Sequence, residues 1–69
     1  MKKISYTKLF KLLLDKKMSK AELRDKCGYS TAVATKLNKD EVVSLSVLLN
    51  ICDKLDCDIS DICETVSDI

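Results

Sequence analysis

The chain has 69 residues, of which 46% are hydrophobic and 33% charged, and its mean hydropathy is -0.01. A chain of this length has room for one small core, and this balance is typical of globular domains rather than disordered chains. The longest apolar run, residues 12–14, is far shorter than the roughly 20 residues of a membrane-spanning helix, and Lys8 and Lys11 interrupt any signal peptide. We therefore expect a cytoplasmic protein that does not bind a membrane.

Basic residues are concentrated in the first part of the chain. Residues 1–39 carry eleven lysines and arginines against three acids, a net charge of +8. Residues 40–69 carry only Lys54 against eight acids, a net charge of −7. Such asymmetry is typical of a protein with one surface that faces a polyanion and another that faces away from it. The alternative is two ordinary solvated faces of uneven charge.

Helix-forming residues dominate the composition, since the chain has no proline and one glycine. This composition predicts an all-α domain. The first helix is predicted at about residues 6–16, with Ser5 as its N-cap, because apolar residues recur there at spacings of three and four. The second is predicted at about residues 20–27, since Ser19 and Glu22 have the spacing of a capping box.

A tight turn is predicted between the second helix and the third. Gly28 can adopt the left-handed conformation that ends many helices. Ser30, only two residues later, is predicted to cap a third helix over residues 31–37. Two short capped helices around a single glycine are the sequence form of a helix-turn-helix, which we place at about residues 19–38.

The rest of the chain predicts a loop and two further helices. The loop is predicted at residues 38–43, which are rich in charged side chains. Ser44 is predicted to cap a fourth helix with a broad apolar stripe, and Asp56 is predicted to end it. Asp58 and Asp61 have the spacing that begins a short fifth helix. Its apolar residues are Ile59, Ile62, Cys63 and Val66.

Neither the cysteines nor the paired carboxylates predict a metal site or an enzyme. The cysteines are Cys27, Cys52, Cys57 and Cys63. They include no Cys-x-x-Cys pair and the chain has no histidine, so we interpret all but Cys57 as small hydrophobic residues on apolar helical faces. Asp58 and Asp61 lie at a helix start, which favours capping over acid-base catalysis. We predict no catalytic residue, metal, cofactor or small-molecule substrate.

Seven segments carry a pattern that extends over about residues 4–66. They are Ser5–Phe10, Ser19–Arg24, Gly28–Thr31, Lys36–Leu37, Val43–Leu45, Leu48–Cys52 and Leu55–Ile62. Their spacing resembles that of the phage-repressor-like helix-turn-helix family of bacterial regulators, the Cro and XRE type. The resemblance implies a five-helix lambda-repressor-like domain over residues 1–69, with the helix-turn-helix at its second and third helices.

The resemblance also implies a function. The protein would be a sequence-specific transcriptional regulator of bacterial, plasmid or phage origin, most simply a repressor, that lays residues 30–37 in the major groove of double-stranded DNA. The groove-facing residues would be Ser30, Thr31, Ala32, Thr35 and Lys36. Phosphate contacts would come from Ser19 and Lys20 before the turn, and from Asn38 and Lys39 after the third helix.

Two positions depart from the family pattern. Arg24 stands where the family usually has a small residue, and we expect its side chain to lie along the surface with its charge in water. The family's large aliphatic core position falls on Ala34, and the exposed position beside it falls on Val33. Either the third helix packs lightly, or it rotates so that Val33 and Leu37 form the buried pair. A rotation would shift the groove-facing set by one residue.

Apolar residues left over by the helices suggest a second copy as a partner. Val42, Val43, Val47 and Ile69 could pack in a homodimer that reads two half-sites. The alternative function is a protein-interaction module on the same fold, an antirepressor or antitoxin-like protein without operator binding, which the weak base readers Thr31 and Ala32 favour. An RNA-binding function has less support, because no exposed aromatic cluster is predicted.

Overall fold

The computed structural model describes residues 1–67, which form helices flanked by two short strands. In chain order the elements are β1 (Lys2–Ser5), α1 (Thr7–Asp15), α2 (Lys20–Cys27), α3 (Thr31–Asn38), α4 (Leu45–Leu55), a 3-10 helix (Ile59–Asp61) and β2 (Glu64–Ser67). No helix in this part of the chain is both long enough and apolar enough to cross a membrane.

The predicted caps define the ends of α2, α3 and α4. Ser19 and Glu22 form a capping box, in which the serine hydroxyl accepts from the Glu22 amide and the carboxylate accepts from the Ser19 amide. Ser30 and Ser44 each accept a hydrogen bond of 3.3 Å from the amide three residues on. Gly28 ends α2 with a φ of 73°, in the left-handed region where glycine has no Cβ to clash. The predictions for these ends are confirmed.

The start of α1 differs from the prediction. Ser5 is buried at the end of β1, and the N-cap is Tyr6, which makes no side-chain cap. The Tyr6 amide donates instead to Asp40 Oδ1 at 2.9 Å, and its phenolic hydroxyl donates to the Glu41 carbonyl at 2.7 Å. The loop between α3 and α4 therefore holds the start of α1 from 34 residues away. Ser5 Oγ does accept from the amide of Thr7, the first residue of α1, at 3.4 Å, but the N-cap lies one residue after the predicted position.

The prediction of a fifth α-helix was also wrong. Asp58 and Asp61 do form a capping box, but it begins only a 3-10 helix. The chain then extends into β2, which pairs antiparallel with β1 in the register Lys3 to Val66 and Ile4 to Thr65. The β-branched Thr65 and Val66 fit a strand better than a helix. Because these strands come from opposite ends of the chain, they need none of the tight-turn residues whose scarcity predicted an all-α domain.

Within residues 1–67, nine buried hydrophobic side chains form the core beneath the helices. They are Tyr6, Leu9, Leu13, Leu23, Leu37, Leu48, Ile51, Leu55 and Ile62. The four cysteines are half-buried and pack against this core. Val43 and Val47, which we expected to face a second copy, are half-buried against the same core, whereas Val42 is exposed. Ile69, the fourth residue of that prediction, lies outside the described residues.

Candidate nucleic-acid interface

The nine residues predicted to contact DNA are all exposed. They are Ser19, Lys20, Ser30, Thr31, Ala32, Thr35, Lys36, Asn38 and Lys39. They occupy the N-terminus of α2, most of α3 and the residue after α3. The fold thus leaves this whole set accessible. Leu23 on α2 and Leu37 on α3 are buried in the core and anchor the two helices to it.

The N-terminus of α2 is fixed by contacts to its own chain. Glu22 engages both the hydroxyl oxygen and the amide of Ser19 in the helix cap, and the hydroxyl proton of Ser19 can still be donated. The Lys20 ammonium lies 4.3 Å from the centre of the Phe10 ring, a cation–π contact with α1. Lys20 also lines a cavity of about 30 Å³ together with Asn38. Two predicted phosphate contacts from opposite ends of the helix-turn-helix are therefore neighbours.

Hydroxyl groups on α3 are oriented by hydrogen bonds within the protein. Ser30 Oγ accepts from the Val33 amide as the N-cap. Thr35 Oγ1 donates to the Thr31 carbonyl at 3.0 Å, so its proton is committed while its lone pairs can still accept. Ala32 and Lys36 are exposed beside them. The exposed side of α3 therefore combines small residues, oriented hydroxyls and one cation.

The exchange of Val33 and Ala34 leaves the residues predicted to face the groove exposed. Both residues are half-buried: Val33 packs against the core, and Ala34 lines the small cavity beside Leu37. Thr31 and Lys36 remain exposed on either side of them. The helix thus rests on both residues, and the one-residue shift considered above is not needed to bury Val33.

Arg24 makes a contact that the sequence analysis missed. Its Nη2 donates to Thr31 Oγ1 at 2.8 Å and so joins α2 to the first residue of α3. Burial raises the pKa of the neighbouring Tyr29 hydroxyl, and the Arg24 charge opposes part of that rise. The sequence feature that could have indicated this bond is the spacing of seven residues between Arg24 and Thr31, which lie on opposite sides of the turn.

The positive charge of α2 and α3 is not neutralised by ion pairs. Among residues 1–67 the ion pairs are Lys8 with Glu64 at 3.6 Å and Lys54 with Asp53 at 3.7 Å, both outside this region. The cations of the interface are Lys20, Arg24, Lys26, Lys36 and Lys39. An exposed set of unpaired cations attracts phosphate backbones, because binding releases the counterions that phosphate holds.

The four cysteine thiols have raised pKa values. Burial raises the pKa of Cys27, Cys52 and Cys63, and it raises the pKa of the Cys57 thiol to about 11. All four are therefore protonated and weakly nucleophilic at neutral pH. Within residues 1–67, no group of cysteines and carboxylates is arranged to hold a metal ion.

Comparisons with known proteins indicate a family of DNA-binding regulators. The family model for the Cro/C1-type HTH DNA-binding domain matches residues 8–68. The chain is similar to a crystal structure of the transcriptional regulator VanUg, with 49% sequence identity and a TM-score of 0.96. That similarity covers 97% of this chain and 89% of the other. No curated protein matches the chain.

Proposed function

The chain belongs to the Cro/C1-type helix-turn-helix family, and on that premise we propose that it is a sequence-specific DNA-binding repressor of transcription. Residues 1–69 are the DNA-binding unit, and residues 19–38 are its helix-turn-helix. The observation that carries the proposal is the exposure of all nine predicted contact residues within one capped, unneutralised segment. Its cations supply non-specific affinity for the phosphate backbone, and α3 supplies the contacts to base edges.

The contact residues divide into two roles. Lys20 and Lys39 contact phosphates by charge, with Ser19 and Asn38 beside them at the two ends of the segment. Ser30, Thr31, Ala32, Thr35 and Lys36 face the major groove. Hydroxyls of serine and threonine contact either kind of base, and the methyl group of alanine suits the methyl group of thymine.

A homodimer is the second part of the proposal. Val42, Leu45 and Leu49 are large apolar residues with exposures of 76%, 59% and 52%. Leu45 and Leu49 are four residues apart on α4 and therefore share one face. These three residues replace Val43 and Val47 as the contact with a second copy, because the latter two pack on their own core. A dimer places two copies of α3 on the two half-sites of a symmetric operator.

The test is binding of the purified protein to a pool of random DNA duplexes over a range of salt concentrations, with sedimentation to count subunits. We expect enrichment of a two-fold symmetric site by a dimer. Lys20→Ala combined with Lys36→Ala should abolish this binding. Lys20→Ala alone removes one phosphate contact and should make the slope of log affinity against log salt shallower by about one. The matched control is Lys54→Ala, which removes a lysine from the acidic part of the chain and should leave binding unchanged.

Two outcomes contradict the proposal. Salt-sensitive binding without enrichment of any sequence means that the protein does not read an operator. Absence of DNA binding, together with a protein partner that still binds the double variant, establishes the protein-interaction module instead.

A further inference from the structure

Arg24 lies on the first helix of the helix-turn-helix, outside the set of residues assigned above to base contacts. We propose that Arg24 is a specificity-determining residue that reads a guanine in the major groove, and that Thr31 holds its guanidinium in place. The inference rests on the proposed DNA-binding function. It adds to that function the one residue on this surface whose geometry matches a particular base.

The first argument is chemical. The groove-facing residues of α3 include no arginine, asparagine or glutamine, the side chains that most often make paired contacts with one base. Arg24 is the only arginine of the chain. Its planar guanidinium has five donors in a fixed fork, and guanine presents two acceptors, O6 and N7, on its major-groove edge. Adenine presents a donor beside its N7 and so does not match the fork.

The second argument is positional. The Nη2 to Thr31 Oγ1 bond of 2.8 Å places the guanidinium at the first residue of α3. The N-terminal residues of the second helix are the ones that reach base edges in a helix-turn-helix. Arg24 is exposed, and it has no ion-pair partner within the described part of the chain, so its remaining donors and its charge are available to DNA.

The third argument is the orientation of the hydroxyls. Thr31 Oγ1 accepts from Arg24, so the Thr31 proton is free to point at another acceptor. The proton of Thr35 is already donated to the Thr31 carbonyl, so Thr35 offers an acceptor one turn further along α3. The start of the helix therefore presents the remaining guanidinium donors and the Thr31 proton together, which suits the two acceptors of guanine. The next turn presents an acceptor, which suits the exocyclic amine of adenine or cytosine.

The experiment compares the enriched sequences of the wild type with those of Arg24→Lys and Arg24→Ala. Arg24→Lys keeps the charge and loses the fork, so we expect it to lose the preference for guanine at one position of each half-site by roughly 5- to 150-fold. The slope of log affinity against log salt should stay unchanged in this variant. Thr31→Val should weaken the same preference, and Thr31→Ser, which retains the hydroxyl, should restore it.

The matched control is Asp25→Ala, which removes an exposed charge from the residue next to Arg24 on the same helix. It should leave the enriched sequence unchanged. Circular dichroism and thermal unfolding establish that each variant is folded, and Arg24→Lys carries the test if Arg24→Ala unfolds.

Three results overturn the inference. The first is retention of the wild-type base preference by Arg24→Lys. The second is uniform weakening of all sequences by Arg24→Ala, with a salt slope lower by about one, because that pattern identifies a phosphate contact. The third is failure of the wild type to enrich any sequence. Only this third result, which appears before any variant is made, overturns the proposed function as well.

Discussion

The pair α1 and α4 is held in the fold differently from the pair α2 and α3. Apolar packing fixes the first pair, whereas α2 and α3 contribute one fully buried side chain each, Leu23 and Leu37. The half-buried Cys27 and Val33 add to the packing of the second pair, and the serine caps and the bond between Arg24 and Thr31 add polar contacts. The packed residues of the first pair are Leu9, Leu13, Leu48, Ile51 and Leu55.

This division explains how a chain of 69 residues can expose all nine residues of its proposed DNA-binding surface. Because α1 and α4 supply most of the core, α2 and α3 need few apolar residues and can present side chains to a partner. The cost is that these two helices depend on hydrogen bonds at their ends. Changes in the core should therefore unfold the protein, and changes at the exposed side of α3 should alter binding while stability stays nearly constant.

The largest expected effect is on stability and comes from Ile51→Ala. Ile51 is 0% exposed at the centre of the core. Removing its side chain leaves a cavity and should lower the free energy of unfolding by about 2–5 kcal/mol. Urea denaturation measures this loss. Asp53→Ala, a change on the same helix at a side chain that is 78% exposed, is the control and should cost less than about 0.5 kcal/mol. Equal losses in the two variants would show that α4 does not carry the core.

A smaller effect is expected at the connection between the two pairs of helices. Asn50 on α4 donates through Nδ2 to the Cys27 carbonyl at the end of α2, at 2.7 Å. Asn50→Ala leaves that carbonyl without its partner and should lower the free energy of unfolding by about 1–3 kcal/mol. Amide hydrogen exchange should accelerate in α2 and α3 more than in α4.

The control for this connection is Asp53→Ala, since the Asp53 side chain is 78% exposed on the same helix. It should change neither stability nor exchange appreciably. If Asn50→Ala accelerated exchange equally in all four helices, the idea that α2 and α3 depend separately on this bond would be wrong.

The same comparison separates what could be predicted from the sequence from what could not. The ends of α2, α3 and α4 depend on residues within three positions of one another, such as Ser19 and Glu22, and those predictions are confirmed. The cap of α1 depends on Asp40, which lies 34 residues away from Tyr6. The pairing of β1 with β2 joins the two ends of the chain. Periodicity and capping rules describe neighbours in sequence, so they contain neither contact.

The candidate site follows the same rule. Exposure of the residues predicted to face the groove follows from helix periodicity and from the caps, which are local. The bond from Arg24 to Thr31 crosses a turn, and its existence depends on the angle between α2 and α3. The predicted position of Arg24 at the surface agrees with the structure, but its engagement with α3 could not be derived from spacing alone.

The smallest effect is confined to alkaline pH and concerns Cys57, between α4 and the 3-10 helix. Burial, with smaller contributions from the nearby Cys52 and Asp61, raises the pKa of its thiol to about 11 against the opposing charge of Lys16. In the unfolded chain a thiol ionises near pH ~8.5. Between these two values the folded protein retains a proton that the unfolded chain loses, so stability should fall as pH rises. Below this window the thiol is protonated in both states and has no effect.

Urea denaturation at about pH 7 and about pH 9.5 measures this decline, which Cys57→Ala should reduce. The comparison variant is Cys27→Ala, at the end of α2, whose pKa is also raised by burial but is lowered by the charge of Lys54. We expect Cys27→Ala to reduce the decline less than Cys57→Ala does. Equal reductions would mean that the Cys57 and Cys27 thiols lie in equivalent electrostatic environments. The contrast between the two pairs of helices would then not extend to the ionisation of their thiols.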